Sequence, residues 1–253
     1  MSCSRNLGLN LATQDWIWFI DADDFVDEVS IKKLKETVRG NNHEIVFFDW
    51  EKCNEKGEAY KTITTSNTPQ FLSPVAIYKK IMKHEMENFC WDFIINKRII
   101  HDNNLRFPNG ATLLEDMLFV WKAISYANGI IHVHDKFYNY RIHSDSSSAS
   151  MNSKKDKDAC KMTMRLMYFL KKNYPCICDD YSIYMLSILI PRIYAYIDNK
   201  SWRRIMKPYI KKYTSNKVLI SSLVSIKIKV QYVLLKSNLE KIVFLWRSIS
   251  AKC

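Results

Sequence analysis

The sequence predicts an α/β fold for residues 1–150 and an α-helical C-terminal region for residues 151–253. In the first region, short β-branched and aromatic runs alternate with stretches of helical periodicity. In the second region, apolar residues recur at three- and four-residue steps, as in the Met-rich run from Met162 to Leu170. A polar, serine-rich stretch near residue 150 has the composition of a linker between the two regions.

Six elements of the first region follow from these patterns. Strands are predicted at Trp16–Ile20, Ile45–Trp50, Ile130–Val133 and Phe137–Ile142, and helices at Ser30–Arg39 and Glu115–Ala127. The continuous apolar run Trp16–Ile20 is typical of an interior strand that is buried on both faces.

The helical region contains one long apolar stretch, Tyr181–Ile197. Pro191 and Arg192 interrupt it before it reaches the roughly 20 apolar residues that a membrane span requires. We therefore expect a kinked core helix there. A second amphipathic helix is expected from Leu239 to Trp246.

Charge is divided unevenly between the regions. Residues 1–150 hold 17 Lys and Arg against 20 Asp and Glu, whereas residues 151–253 hold 21 against 6, a net charge of +15. The basic residues of the segment 202–212 are interleaved with apolar ones, which favours an anionic membrane surface as a partner over nucleic acid. A merely solvated basic face explains the same pattern, and both interpretations stay open.

Cysteine usage indicates a reducing compartment. The seven cysteines are odd in number and scattered, and no basic, apolar leader follows Met1. We expect a cytoplasmic protein, peripheral at the inner membrane face if the basic region binds lipid. Cys176 and Cys178 form a pair without a second pair at zinc-like spacing, so free thiols are expected there.

A cluster of aspartates follows the first predicted strand. Asp21, Asp23 and Asp24 lie within four residues, where their mutual repulsion is relieved if a divalent cation binds among them. An extended backbone would project Asp21 and Asp23 to the same side. Carboxylate oxygens at an open site favour Mg²⁺ or Mn²⁺, and such ions commonly hold phosphates. Helix capping explains at most one aspartate, Asp24 or Asp27.

The order of several motifs resembles the glycosyltransferases of family 2, which have the GT-A (Rossmann-like) fold. The motifs are Ser4-Arg5-Asn6-Leu7-Gly8, then Asp21-Ala22-Asp23-Asp24, then Trp91-Asp92, then Leu114-Glu115-Asp116, and finally Tyr138-Asn139-Tyr140-Arg141-Ile142-His143. The resemblance covers about residues 4–150. It implies transfer of a sugar from a nucleotide-sugar donor, a UDP-sugar, to a hydroxyl of a glycan or lipid-linked acceptor in polysaccharide biosynthesis.

The resemblance also implies roles for individual residues. Asp23 would bind the metal ion on the donor diphosphate, and Asp21, Arg5 and Asn6 would contact the donor. Asp116 would be the catalytic base of an inverting transfer, with Glu115 beside it. From the residues alone, Glu115 and Asp116 are equally well explained as ordinary first-turn acids, where the helix dipole would help to keep Asp116 ionised.

Three histidines come late in the first region. His143, in its Tyr-Arg-x-His context, is a candidate metal ligand alongside Asp23. His132 and His134 alternate on a predicted strand and are expected to be surface or structural histidines.

One departure from the family pattern and two alternative functions remain to be considered. The nucleotide-binding strands that open family 2 domains are not found ahead of Arg5, so we expect a truncated domain, inactive on its own unless a partner chain supplies the missing half. The alternative functions are a basic membrane-surface binding module without catalysis, and a metal-dependent phosphate hydrolase that needs no sugar acceptor.

Overall fold

A computed structural model describes residues 1–39, 43–60, 68–142, 153–195, 217–222 and 224–237. The chain forms two compact units, Met1–Met151 and Asn152–Cys253. The first unit is a mixed α/β layer structure and the second is helical.

One five-stranded sheet organises the first unit, in the order β1-β4-β2-β5-β3. Its strands are β1 (Trp16–Trp18), β2 (Ile45–Cys53), β3 (Gln70–Phe71), β4 (Phe93–Asn96) and β5 (Ile130–Arg141). The long pair β2 and β5 is parallel, and the other neighbours are antiparallel.

Among the described residues, five helices accompany the sheet. They are α1 (Ser2–Leu11), α2 (Glu28–Val38), α3 (Pro74–Met82), α4 (Lys97–Asp102) and α5 (Glu115–Tyr126). Asp27 caps α2, because its carboxylate accepts a 2.8 Å hydrogen bond from the backbone N–H of Ser30. Ser73 caps α3 in the same way, and Pro74 occupies the first helical position, where its missing N–H costs nothing.

Both faces of the central strands are buried. Ile45 and Phe47 point to one face of β2 and Val46 and Phe48 to the other, and all four are at most 3% exposed. Val46 and Phe48 belong to the hydrophobic cluster that includes Leu34 of α2. On the side away from this cluster, Phe47 packs against Phe93 with ring centroids 5.2 Å apart.

The first strand differs from its prediction. β1 ends at Trp18, and among the described residues it is an edge strand that pairs only with β4. The prediction of an interior strand is therefore wrong for the residues described. Trp16 and Trp18 are half-buried and only Ile17 is fully buried, as expected when one strand edge carries no neighbour.

The last long strand also differs from its prediction. β5 runs unbroken from Ile130 to Arg141, where the sequence predicts two strands. The polar residues at 134–136 interrupt the apolar pattern, but a β-bulge opposite Asp49 absorbs the irregularity and the ladder continues.

The second unit has helices at α6 (Ser153–Asn173), α7 (Cys178–Ala195), α8 (Lys217–Ile220) and α9 (Ile226–Lys236), with a 3₁₀ turn at Pro175–Ile177. The Met-rich helix is confirmed within α6, and α7 carries Pro191 internally, as predicted. In the described part of the chain, no helix has the length and hydropathy to cross a membrane. The basic segment 202–212 and the helix predicted at 239–246 lie outside the described residues.

Candidate active site

The predicted aspartate cluster folds as a turn that follows β1. The backbone N–H of Asp24 donates a 3.1 Å hydrogen bond to the carbonyl oxygen of Asp21, which places Ala22 and Asp23 at the corner. The expectation of an extended backbone here is therefore wrong. A turn, rather than strand alternation, decides where each carboxylate points.

The aspartates of this turn have different surroundings. The carboxylate of Asp24 accepts hydrogen bonds from the hydroxyl of Tyr138 at 2.6 Å and from the backbone N–H of Arg141 at 2.8 Å. Asp21 forms an ion pair with Arg5 at 3.0 Å. Asp23 is exposed and makes no hydrogen bond through its side chain to another described residue. Asp24 thus anchors the turn to β5, while Asp23 is open to a ligand.

The turn retains the carboxylate repulsion that a cation would relieve. Burial raises the pKa of Asp24, and the charges of Asp23 and Asp21 raise it further, against the hydrogen bonds from Tyr138 and Arg141. Only oxygen donors are offered by this turn, which suits Mg²⁺ or Mn²⁺. The residues present therefore fit a hard divalent cation held by Asp23.

Arg5 on α1 connects this turn with the start of α5. One guanidinium nitrogen lies 3.0 Å from Asp21 Oδ1 and the other lies 3.7 Å from Glu115 Oε1. The Arg5 side chain is 12% exposed and that of Glu115 is 5% exposed. The guanidinium also lies over the ring of Phe107, 5.4 Å from its centroid. Arg5 therefore brings the strand-end aspartates and the acids of α5 into one charged cluster.

The acids of α5 follow a residue with unusual backbone geometry. Leu114 has φ 60° and ψ 19°, a left-handed conformation that a branched side chain rarely adopts and that costs roughly 1–2 kcal/mol. The next residue, Glu115, is buried, and the Asp116 carboxylate accepts a 2.8 Å hydrogen bond from the backbone N–H of Met117. Such strain is found where a structure fixes the direction of neighbouring side chains.

The environment of Asp116 opposes the helix dipole. Burial and the adjacent charge of Glu115 raise the pKa of Asp116 to about 6, against the hydrogen bond from Met117 and the charge of Arg5. We expected the helix N-terminus to favour the ionised form, but desolvation has the larger effect. A carboxyl group with this pKa can accept a proton near neutral pH.

Asn6 lies one residue from Arg5 and links α1 to the loop before α5. Its amide group donates to the carbonyl oxygen of Phe107 and accepts from the backbone N–H of the same residue, both at 2.9 Å. Phe107 in turn stacks on Phe119 with centroids 4.0 Å apart, and Phe19 packs edge-on against both rings. Asn6 thus holds the scaffold of the cluster, and its predicted contact with substrate stays a prediction.

Two further residues at the cluster were not singled out from the sequence. Tyr138 accepts a hydrogen bond from the Asp21 N–H and donates to Asp24, so it fixes both ends of the turn. Its only signal in the sequence is its place in the motif that ends at His143. Cys90 is 1% exposed, and burial raises the pKa of its thiol well above the usual value despite the charge of nearby Arg5.

The three histidines are divided between described and undescribed residues. His143, predicted as a metal ligand, lies outside the described residues. His132 and His134 lie on β5, and each forms a hydrogen bond with the carboxylate of Asp49 on β2, at 2.9 and 3.2 Å.

Known proteins resemble this chain at the level of sequence. Residues 2–103 match the family described as Glycosyl transferase family 2. EpsH of Bacillus subtilis strain 168, a glycosyltransferase by name, is 27% identical over 149 residues, which are 56% of this chain and 42% of that protein. The poly(ribitol-phosphate) β-N-acetylglucosaminyltransferase TarS of Staphylococcus aureus strain Mu50 is 25% identical over 145 residues, which are 54% of this chain and 22% of TarS. The chain thus spans less than half the length of these relatives.

The fold has counterparts among solved structures. The structure of S. aureus TarS 1-349 in complex with UDP-GlcNAc superposes with a TM-score of 0.66 and 16% identity, covering 96% of this chain and 71% of that one. The free form of the same TarS segment gives a TM-score of 0.65 and 14% identity, covering 98% of this chain and 71% of that one. The predicted GT-A fold is confirmed by this likeness.

Proposed function

We propose that the chain transfers a sugar from a UDP-sugar to a hydroxyl of a glycan or lipid-linked acceptor, with inversion and with a bound metal ion, because residues 2–103 match glycosyltransferase family 2. The observation that carries the proposal is the charged cluster in which Arg5 joins Asp21 to Glu115. It brings a candidate diphosphate site and a candidate base together. TarS, a relative of similar fold, has been solved with UDP-GlcNAc bound.

The donor diphosphate would bind at the turn after β1. Asp23 would hold Mn²⁺ or Mg²⁺, which neutralises charge on the departing diphosphate. Asp21, oriented by Arg5 at 3.0 Å, would contact the ribose or the sugar. The hydrogen bonds from Tyr138 and Arg141 to Asp24 support donor binding at this turn, because they fix the turn before the donor arrives.

The proton transfer would take place at Asp116. Its carboxylate would accept the proton of the acceptor hydroxyl as that oxygen forms a bond to the anomeric carbon, on the side opposite to the departing diphosphate. Bond formation and departure in one step invert the anomeric configuration. A pKa of about 6 suits a base that must be ionised at neutral pH and still hold the proton.

The nucleotide base would be bound by a segment that pairs with β1. Among the described residues the outer edge of β1 has no neighbour, and a groove of about 390 Å³ lies between Trp16 and Trp18 of β1 and Leu34 and Val38 of α2. An uncovered strand edge beside an apolar groove favours the addition of a further strand. Either a preceding part of a longer protein or a separate partner chain would supply this segment.

The basic second region would place the enzyme at an anionic membrane surface, the cytoplasmic face in our expectation. The net charge of +15 over residues 151–253 supports this location. If membrane attachment were the whole function, neither the unaltered chain nor Asp116→Asn would transfer sugar, and both would bind anionic vesicles equally. Salt-sensitive sedimentation with anionic vesicles, but not with neutral ones, is the expected behaviour of the full chain.

Calorimetry with UDP tests the donor site. In a protein that includes the segment pairing with β1, we expect UDP binding that requires Mn²⁺ or Mg²⁺ and that is lost in Asp23→Ala but kept in Asp102→Ala, a change at an exposed carboxylate of α4. Binding of UDP by Asp23→Ala with the same metal dependence would contradict the assignment. Release of UDP from a UDP-sugar at the full rate without any acceptor would favour a hydrolase instead.

A further inference from the structure

A second group of side chains that can bind a metal ion lies on the face of the sheet away from α2. Ile131 and Val133 of β5 belong to the cluster packed with α2, so the alternating residues His132 and His134 point to the opposite face. Asp49 of β2 meets them there, with its carboxylate hydrogen-bonded to both imidazoles. This group, Asp49, His132 and His134, is here named the Asp-His-His cluster.

The distances in the Asp-His-His cluster match those of a tetrahedral metal site. His132 Nε2 lies 2.9 Å from Asp49 Oδ1, and His134 Nδ1 lies 3.2 Å from Asp49 Oδ2. One ligand atom from each residue can be chosen so that all lie within 4.8 Å of one another. Ligands about 2.1 Å from a tetrahedral ion stand roughly 3.4 Å apart. Adjustments of the side chains toward this spacing would enclose an ion.

The surroundings leave the Asp49 carboxylate available to a ligand. Lys136 lies opposite Asp49 in the strand register, but its ammonium group pairs with Glu51 at 3.4 Å. The Asp49 side chain is 33% exposed and both histidines are 11% exposed. The cluster is thus enclosed on the protein side and open to solvent at the carboxylate.

A β-bulge lies at the Asp-His-His cluster. The register of β2 and β5 shifts between Phe48 and Asp49, so that Phe48 pairs with Val133 but Asp49 pairs with Lys136. His134 falls within the shift, where bulges characteristically redirect a side chain. A regular ladder would pair Asp49 with His134; in the bulge His134 has no Cα partner in the register of β2, and its Nδ1 reaches the second carboxylate oxygen of Asp49.

We propose that Asp49, His132 and His134 bind one Zn²⁺ ion, with a water molecule in the fourth position. Two imidazole nitrogens and one carboxylate oxygen form a ligand set suited to Zn²⁺ and related transition-metal ions, whereas Mg²⁺ and Mn²⁺ prefer the all-oxygen turn at Asp21–Asp24. The ion joins β2 to β5 at the bulge, where the hydrogen-bonded ladder is interrupted. Zn²⁺ therefore stabilises the sheet, whether or not the chain transfers sugar.

Cobalt substitution tests the site directly. The full chain is stripped with a chelator and titrated with Co²⁺, whose four-coordinate complexes absorb visible light strongly. We expect one equivalent to produce the absorption and Zn²⁺ to abolish it. Asp23→Ala should behave like the unaltered chain, which separates this site from the turn after β1, and so should His101→Ala, in which an exposed histidine of α4 is removed.

Substitution of a proposed ligand should weaken metal binding. His134→Ala and Asp49→Asn should each weaken Co²⁺ binding by at least the roughly 10- to 100-fold that loss of an outer-sphere partner costs. Zn²⁺ should raise the Tm of the unaltered chain and of His101→Ala but not that of Asp49→Asn, which preserves the shape of the carboxylate. Absence of the Co²⁺ absorption in the unaltered chain, or an equal rise in the Tm of Asp49→Asn, would overturn the proposal.

Discussion

The Tyr138 hydroxyl donates a 2.6 Å hydrogen bond to Asp24 and at the same time accepts one of 3.1 Å from the backbone N–H of Asp21. One side chain of β5 thus fixes both ends of the turn that presents Asp23. The Tyr138 ring is itself held by stacking on Trp91, with centroids 4.4 Å apart. The turn that presents Asp23 is therefore held in place by β5 and by Trp91, which lies just before β4.

Tyr138→Phe should loosen this turn. Removal of the hydroxyl takes one of two hydrogen bonds from the half-buried Asp24 carboxylate and leaves the Asp21 N–H without its partner, at a cost of about 1–3 kcal/mol. We expect weaker metal-dependent UDP binding and a lower Tm. The matched control is Tyr140→Phe, because Tyr140 also stacks against Trp91, at 5.6 Å. Equal loss of UDP binding in both variants would show that the two hydrogen bonds of the Tyr138 hydroxyl are not what holds the turn.

Arg5→Lys tests the link between the two parts of the charged cluster. An ammonium group keeps the charge but cannot reach Asp21 and Glu115 from two fixed nitrogens at once. We expect kcat to fall while the protein stays folded. The matched control is Arg98→Lys, at an exposed position of α4, which should leave kcat unchanged. Steady-state kinetics with a UDP-sugar would measure both variants. A rise in KM with unchanged kcat would instead assign Arg5 to uniform donor binding.

The buried carboxyl group of Asp92 should make stability depend on pH. Burial raises the pKa of Asp92 well above its usual range, and its Oδ1 has no hydrogen-bond partner among the described residues. Because the folded pKa lies above the unfolded value of about 3.9, the stabilising contribution is complete below that value and is lost as pH rises toward the folded pKa.

Asp92→Asn imitates the protonated carboxyl group and should remove this dependence. Urea unfolding midpoints should be similar for the variant and the unaltered chain near pH 4 and should diverge in favour of the variant as pH rises. Asp102→Asn, at an exposed position, is the control. Parallel pH curves for Asp92→Asn and the unaltered chain would show that Asp92 is ionised in the folded protein.

The strand and helix periods predicted much of the first unit. The segment of β2 and the helix α5 lie where the apolar pattern places them, and α7 contains the internal proline that the sequence indicates. β3 and β4 were not predicted, because strands of two and four residues are too short to show a period. β4 is nevertheless central, since it separates β1 from β2.

The site was predictable in its residue types but not in its geometry. The aspartate cluster and the pair Glu115-Asp116 stand out in the sequence, yet nothing local shows that Asp24 is bonded to Tyr138, 114 residues away. The left-handed backbone of Leu114 also has no sequence signal, because leucine is unusual there. Contacts between distant segments decide which carboxylate is structural and which is open to a ligand.

The pH dependence of transfer should report Asp116. The base must be ionised, so kcat/KM should rise as pH increases through about 6 and level off above that value. Asp116→Asn keeps the size of the side chain but removes the proton acceptor, which should lower transfer by a factor of roughly 10² to 10⁴ and abolish this limb of the profile. Glu115→Gln should have a smaller effect if Glu115 only pairs with Arg5.

The most direct test compares UDP binding and sugar transfer in Asp116→Asn. The protein used includes the segment that pairs with β1. Calorimetry and product formation are measured on the same preparation, with the unaltered chain alongside. We predict unchanged metal-dependent UDP binding together with the loss of transfer. Transfer at the normal rate by Asp116→Asn would contradict the assignment of the base, and a parallel loss of UDP binding would show that Asp116 belongs to the donor site instead.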